Sequence, residues 1–264
     1  MQYSSGKGVF DVDFVVKKGQ TIGFLGPNGA GKTTTIRCIL GFMRGQKGQC
    51  FIDGKECFTN ASENMKEVGY IAGEPAFPGG MTGIEYLNFL CEVRGIKDKG
   101  WMHTLIAYFE FDPKVKIKQM SKGMKQKTAI VAAFMHDPEV LILDEPSSGL
   151  DPLMQNKFVE LILSEKSKGK TILMSSHMFD EVEKTCENII IVKDGRIVAR
   201  DSVSNLKKLK TLTFIVNGQK HSVLSKDVDK FIKQIAKTKV ETIQIVEPTL
   251  ENIFLDLFKK EGGK

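Results

Sequence analysis

Apolar and polar positions come in blocks along this chain, and the blocks change period in an ordered way. Short apolar runs of strand length recur at residues 21–25, 140–143, 171–174 and 188–192. These runs suit strands of a parallel sheet covered on both faces. Segments of helical spacing lie between them, and alternating strand and helix predicts an α/β protein. Residues 9–16 alternate in part and lead into the turn Lys17-Lys18-Gly19. Residues 34–42 read as the helix after the first strand. Residues 49–52 with Asp53-Gly54 read as the end of a hairpin, because Asp-Gly accepts the positive φ of a tight turn. Residues 80–136 read mostly as helices, with Thr82 and Glu85 at capping-box spacing and with Gly95 and Asp112-Pro113 as punctuation.

Beyond about residue 200 the chain turns lysine-rich and its elements shorten. Residues 211–216 read as a strand. Val228, Phe231, Ile232 and Ile235 stand at i, i+3, i+4, i+7, the spacing of an amphipathic helix, and Leu250, Ile253, Phe254 and Leu257 repeat it after Pro248. Both stripes read as packing faces against the main domain or a twin subunit. The expected organisation is a main domain over 1–200, with a helical part at about 80–136, and an extension over 201–264.

The sharpest chemical signal is GPNGAGKT at residues 26–33, followed by Thr34. It sits between a predicted strand and a predicted helix, which is the context a phosphate-binding loop needs. A nucleoside triphosphate is a cluster of anionic oxygens. Gly26, Gly29 and Gly31 let the backbone turn its N–H groups toward them. The following helix adds its positive end. Lys32 would reach the outer phosphates, and the Thr33 hydroxyl would serve Mg²⁺.

A second segment, VLILDEP at residues 140–146, is a buried strand that delivers Asp144 and Glu145 at its C-terminal end, the edge where open α/β sheets bind ligands. Asp144 would hold Mg²⁺, and Glu145 would take the proton of the water attacking the γ-phosphate. A third, MSKGMKQK at residues 120–127, puts Ser121 and Gly123 at a helix start, another anion site. One phosphate loop serves one ATP, so this second site suggests a nucleotide shared across a dimer. Ser148-Gly149-Leu150-Asp151 follow the acidic pair. Ser175-Ser176-His177 end a neighbouring strand, from which His177 can reach the γ-phosphate.

Composition narrows the setting. The chain has 264 residues with 38 Lys and Arg against 32 Asp and Glu, a formal charge of +6. That modest excess suits an anionic ligand, a membrane surface or nucleic acid without choosing among them. Cys38, Cys50, Cys57, Cys91 and Cys186 are odd in number and lack metal-ligand spacing, the pattern of a reduced cytosolic thiol set. No apolar run reaches the roughly 18 residues of a membrane span, and the polar start MQYSSGKG lacks a signal-peptide core.

In order and spacing these segments resemble the ATP-binding subunit of an ABC (ATP-binding cassette) transporter, over residues 3 to about 200. The resemblance implies a P-loop NTPase core with a mostly parallel sheet, an antiparallel β subdomain, a helical subdomain and a small α+β C-terminal extension. It makes residues 26–34 the Walker A loop, so that Pro27, Asn28, Ala30 and Thr34 join the glycines, Lys32 and Thr33 around ATP. It makes residues 141–146 the Walker B strand, MSKGM the signature loop, SGLD the loop touching the twin subunit, and His177 the switch histidine. Two subunits would sandwich two ATP molecules head to tail, Ser121 and Gly123 of one capping the γ-phosphate held by Lys32 of the other. The twin is a second copy or a related cassette, and the membrane permease is a separate chain. The implied location is the cytoplasmic face of the cell membrane, with no nucleic-acid partner.

The chain departs from the family at three places. LSGGQ is replaced by Met120-Ser121-Lys122-Gly123-Met124, a spelling similar to cassettes of drug, antibiotic and polysaccharide exporters. Gly73 falls where a Mg²⁺-sensing glutamine is expected, and Glu74 beside it is the candidate substitute. The family's first strand has no counterpart, and Tyr3 falls on the aromatic residue that stacks on adenine. The tail EPTLENIFLDLF resembles the closing helix of exporter-type cassettes. A soluble cassette acting on ribosomes or DNA would carry two copies in one chain or a coiled-coil insertion, and a regulatory cassette of low turnover would lack intact Lys32, Asp144, Glu145 and His177.

Overall fold

The buried runs assemble into a single sheet whose strands converge on one edge. The computed structural model describes Met1, residues 7–236 and residues 238–261. The chain divides into two units, Met1–Arg200 and Asp201–Lys264.

The first unit opens with β1 (Thr21–Leu25), every residue of which is buried. Then come α1 (Lys32–Ile39), the short strands β2 (Phe51–Ile52) and β3 (Lys55–Glu56), α2 (Ala61–Glu67) and β4 (Val68–Ile71). The helical part holds α3 (Gly83–Arg94), α4 (Gly100–Tyr108) and α5 (Lys122–Phe134). It is followed by β5 (Val140–Asp144), α6 (Pro152–Ser167), β6 (Thr171–Ser176), α7 (Phe179–Thr185), β7 (Asn188–Lys193) and β8 (Arg196–Ser202). The six-stranded sheet runs β4-β5-β6-β1-β7-β8. β4, β5, β6, β1 and β7 pair in parallel, so their C-terminal ends share one edge.

Apolar residues fill both faces of that sheet. Ile22, Phe24, Leu173, Ile190 and Val192 form one cluster, with Phe14 and Val16 packed on it. Ile36 and Leu40 of the α1 segment meet Val68 and Ile142 on the other. Fully burying side chains of this size is worth about 1.5–3 kcal/mol each, which is why the pattern fixes which strands go inside.

Local chemistry sets the boundaries. The expected helix at 34–42 instead begins at Lys32 and ends at Ile39. Gly31, at φ +103°, is the turn into it. It stops where Gly41, at φ +72°, runs so close to the Cys57 carbonyl that a Cβ would not fit. Residues 9–16 form no named strand. Asp11, at φ +50°, breaks the extended run, and Phe10 N–H donates to the Gly195 carbonyl at 2.6 Å. β2 and β3 form the hairpin expected at Asp53-Gly54, both at positive φ, and pair antiparallel. α3 carries the Thr82–Glu85 capping box.

The second unit contains α8 (Val203–Leu206), β9 (Lys210–Val216), β10 (Gln219–Ser225), α9 (Val228–Ile235), β11 (Val240–Val246) and α10 (Leu250–Glu261). Its antiparallel sheet runs β10-β9-β11. Phe231 of α9 packs on Phe214 of β9, ring centroids 5.4 Å apart. Among the described residues, no helix is long and apolar enough to cross a membrane.

Candidate active site

The phosphate loop leaves β1 under tight steric control. A Cβ on Gly26 would collide with the Val192 carbonyl of β7, so only glycine lets the chain turn there. Gly29 and Gly31 have φ of +81° and +103°, the left-handed region that glycine enters without penalty. Gly31 gives α1 no side-chain cap. No cap side chain therefore competes with an anion at the start of that helix. Lys32 folds back over the loop and is only 6% exposed. Its Nζ donates to the Gly26 carbonyl at 2.6 Å and the Pro27 carbonyl at 3.4 Å, and it lies 3.6 Å from Glu145 Oε1.

The acidic edge stands opposite. Asp144 ends β5 and is fully buried. Burying a carboxylate is costly unless donors surround it. Asp144 has two: Thr33 Oγ1 donates to Oδ2 at 2.7 Å, and Ser175 Oγ donates to Oδ1 at 2.5 Å. Gly73 is close by, and a Cβ there would sit 3.3 Å from Asp144 Oδ2. Glu145 has φ +49°, a conformation a glutamate adopts only when held. Its N–H is held by both the Ser175 carbonyl and Ser175 Oγ, each at 3.1 Å. So turned, Glu145 meets the His177 imidazole with Oε2, Nδ1 being the contacting atom. Its Oε1 is buried without a hydrogen-bond partner and faces Lys32.

A cleft of about 460 Å³ opens over these groups, lined by Gly26, Pro27, Asn28, Gly73, Glu74, Lys122, Glu145, Ser148 and His177. The chain thus brings together Lys32, Thr33, Asp144, Glu145 and His177. Ser121 and Gly123 are not among the lining residues. Ser121 caps α5 by accepting from Met124 N–H at 3.2 Å, and a Cβ on Gly123 would come within 3.0 Å of the Gly149 carbonyl. Lys122, between them, does line the cleft and donates to Ser148 Oγ at 3.2 Å. Asp151 caps α6 through Met154 N–H at 3.0 Å. Tyr3 lies outside the described residues.

Sequence reasoning named Ser175 at the end of a strand but gave it no role. Its signal was the parallel sheet: β6 beside β5 puts Ser175 opposite Asp144 in register. It gave Lys122 no role either, since a lysine at a helix start reads as a solvated cap.

The chain is similar to known proteins. A family model described as ABC transporter matches residues 9–148, more than half of the chain. The bacitracin transport ATP-binding protein BcrA of Bacillus licheniformis is 37% identical over 227 residues, covering 84% of this chain and 74% of that protein. A fluoroquinolones export ATP-binding protein of Mycobacterium tuberculosis is 30% identical over 264 residues, covering 93% and 86%. A solved ATP-binding subunit of an ABC transporter matches with a TM-score of 0.74 at 27% identity, covering 97% of this chain and 95% of that one. The relatives carry transport functions, which favours a transport ATPase over a cassette acting on ribosomes or DNA. Sequence, fold and likeness agree that this chain belongs to the ABC transporter family, as an ATP-binding subunit whose ATP hydrolysis powers transport.

Proposed function

We propose that this cassette pairs with a second copy or a related chain, clasps ATP between the two, and drives a separate membrane permease in the direction of export. The observation that carries the pairing is the division of the machinery within one chain. The loop, both carboxylates and the histidine line or adjoin one cleft, whereas of the α5 start only Lys122 lines it, and Ser121 and Gly123 on either side do not. A twin would bring its own Ser121 and Gly123 to the open side. Export is favoured by the MSKGM spelling and by likeness to proteins named for bacitracin transport and fluoroquinolone export. The place of work is then the cytoplasmic face of the cell membrane.

The roles follow from the geometry. Residues 26–34 and Lys32 would bind the phosphates, and Tyr3 the adenine. A hydroxyl and a carboxylate meeting at 2.7 Å, with Gly73 adding no side chain on the Oδ2 side, fit a small hard cation, so Thr33 and Asp144 would hold Mg²⁺. When bound, that ion would neutralise charge on the phosphate oxygens. Glu145 accepts a proton from the water whose oxygen bonds to the γ-phosphorus. The bond from that phosphorus to the bridging oxygen breaks, and ADP leaves with the electron pair. His177 orients Glu145 through their direct bond, and Lys32 offsets negative charge on the phosphates.

Glu145→Gln keeps the shape and removes the base. Turnover should fall by about 10²–10⁴-fold, the usual scale for lost general-base catalysis. An ATP-bound dimer should accumulate on size exclusion. Unchanged hydrolysis would remove Glu145 from its role, and a variant that stays monomeric with ATP would remove the clasp. The permease claim is tested by co-purification with a polytopic protein encoded beside this chain.

A further inference from the structure

We infer that Glu181 is a positioning residue for hydrolysis, holding His177 where it meets Glu145. The inference rests on the roles proposed above for that pair. Glu181 lies in the first turn of α7, belongs to none of the motifs, and is only 4% exposed. Carboxylates are rarely buried this deeply without a partner or a task.

Its contacts point to the task. Ser176 Oγ donates to Glu181 Oε2 at 2.6 Å. The same hydroxyl accepts from Met178 N–H at 3.0 Å. One serine therefore ties the residue before His177 to the residue after it, and Glu181 fixes which way that hydroxyl points. The loop carrying Glu145 reaches the same spot. Ser147, two residues beyond Glu145, donates to Met178 Sδ at 3.5 Å. Among the described residues Glu181 Oε1 makes no hydrogen bond, although the Ser147 hydroxyl is near enough to favour the charged form. The carboxyl so lies beneath both turns that meet at the His177–Glu145 contact.

Burial dominates its ionisation and raises the pKa above the usual carboxylate range. The Glu145 charge pushes the same way, while Ser176, Ser147 and His177 oppose it. A neutral isostere should therefore do the work. α7 itself is anchored elsewhere, since Val182 packs against β1 where Gly23 leaves no room for a side chain. Changing Glu181 should thus disturb the turn more than the helix.

The test is a double-mutant cycle on the full chain, read as kcat and KM for ATP. Glu181→Gln keeps an acceptor for Ser176 and should stay within about threefold of the parent. Glu181→Leu should lower kcat at least tenfold with KM within about twofold. In a His177→Ala background the same Leu substitution should cost less than twofold, because the residue it acts through is gone. An equal loss in both backgrounds, a change confined to KM, or a Gln variant as poor as Leu would overturn the inference. If Glu181→Leu does not fold, Ser176→Ala cuts the same link. It should lower kcat in the parent and not in the His177→Ala background, and a parent-like kcat would overturn the inference. A His177→Ala chain with full turnover would instead bring down the role proposed for the histidine, a separate failure.

Discussion

Ser175→Ala removes one oxygen and should disturb two functions at once. Ser175 is fully buried. Its hydroxyl donates to Asp144 Oδ1 at 2.5 Å and accepts from Glu145 N–H at 3.1 Å. The second bond is backed up, because the same N–H also reaches the Ser175 carbonyl. The first is not: among the described residues, Asp144 keeps only Thr33 as a side-chain donor. Hydrogen bonds to charged groups contribute about 1.5–3 kcal/mol, and a buried acceptor left short of donors costs on that scale. A loss of about 2 kcal/mol lowers the melting temperature of a unit the size of Met1–Arg200 by roughly 4–8 °C.

The functional arm is separate. Asp144 is the carboxylate proposed to hold Mg²⁺, and Ser175 orients it from behind. Removing such an outer partner typically weakens metal binding by about 10–100-fold. The Mg²⁺ concentration for half-maximal ATPase should rise by that factor. Thermal unfolding without nucleotide reads the first effect, and a Mg²⁺ titration of hydrolysis at fixed ATP reads the second. A variant that melts within 1 °C of the parent and needs no more Mg²⁺ would refute the reasoning that this hydroxyl supports the carboxylate.

Three more outcomes are expected. Lys32→Ala should abolish nucleotide binding or turnover, and parent-like ATP affinity and rate would remove the phosphate-loop assignment. Ser121→Arg should block ATP-dependent dimerisation while monomer binding stays nearly intact, with loss of the α5 cap costing about 1 kcal/mol; normal dimerisation by light scattering would contradict the shared site. Glu145→Gly should stop hydrolysis yet melt no lower than Glu145→Gln, since relief of the positive φ is worth about 1–3 kcal/mol against about 0.5–1 for glycine's entropy. A clearly lower melting point would mean that the turn stores no strain.

Much of the fold was legible because burial leaves a period. The runs at 140–143, 171–174 and 188–192 became β5, β6 and β7, each a residue or two longer at its end. The hairpin at Asp53-Gly54 and the Thr82–Glu85 box were legible because they are local chemistry that tertiary packing did not override. Residues 9–16 misled because alternation says nothing about pairing, and Asp11 at positive φ cannot be read from a string. The site was legible as motifs and not as contacts. GPNGAGKT and DEP name the residues proposed to touch the nucleotide and its metal. Ser175 touches Asp144 and Glu145 instead, and Glu181 touches Ser176 beside His177; such support depends on register and burial, which appear only once strands are paired.

The acidic doublet makes the point physically. In a regular strand, neighbouring side chains point to opposite faces. Asp144 and Glu145 are neighbours, so simple alternation would send one of them away from the edge. Instead β5 ends at Asp144, and the left-handed turn at Glu145 brings the second carboxylate back toward the loop. Ser175 holds that turn with its carbonyl and its hydroxyl, and spends the same hydroxyl on Asp144. Both carboxylates, Asp144 and Glu145, are therefore fixed by one residue of the adjacent strand. A shift of β6 against β5 would move both together, and His177, two residues further along the chain from Ser175, would move with them.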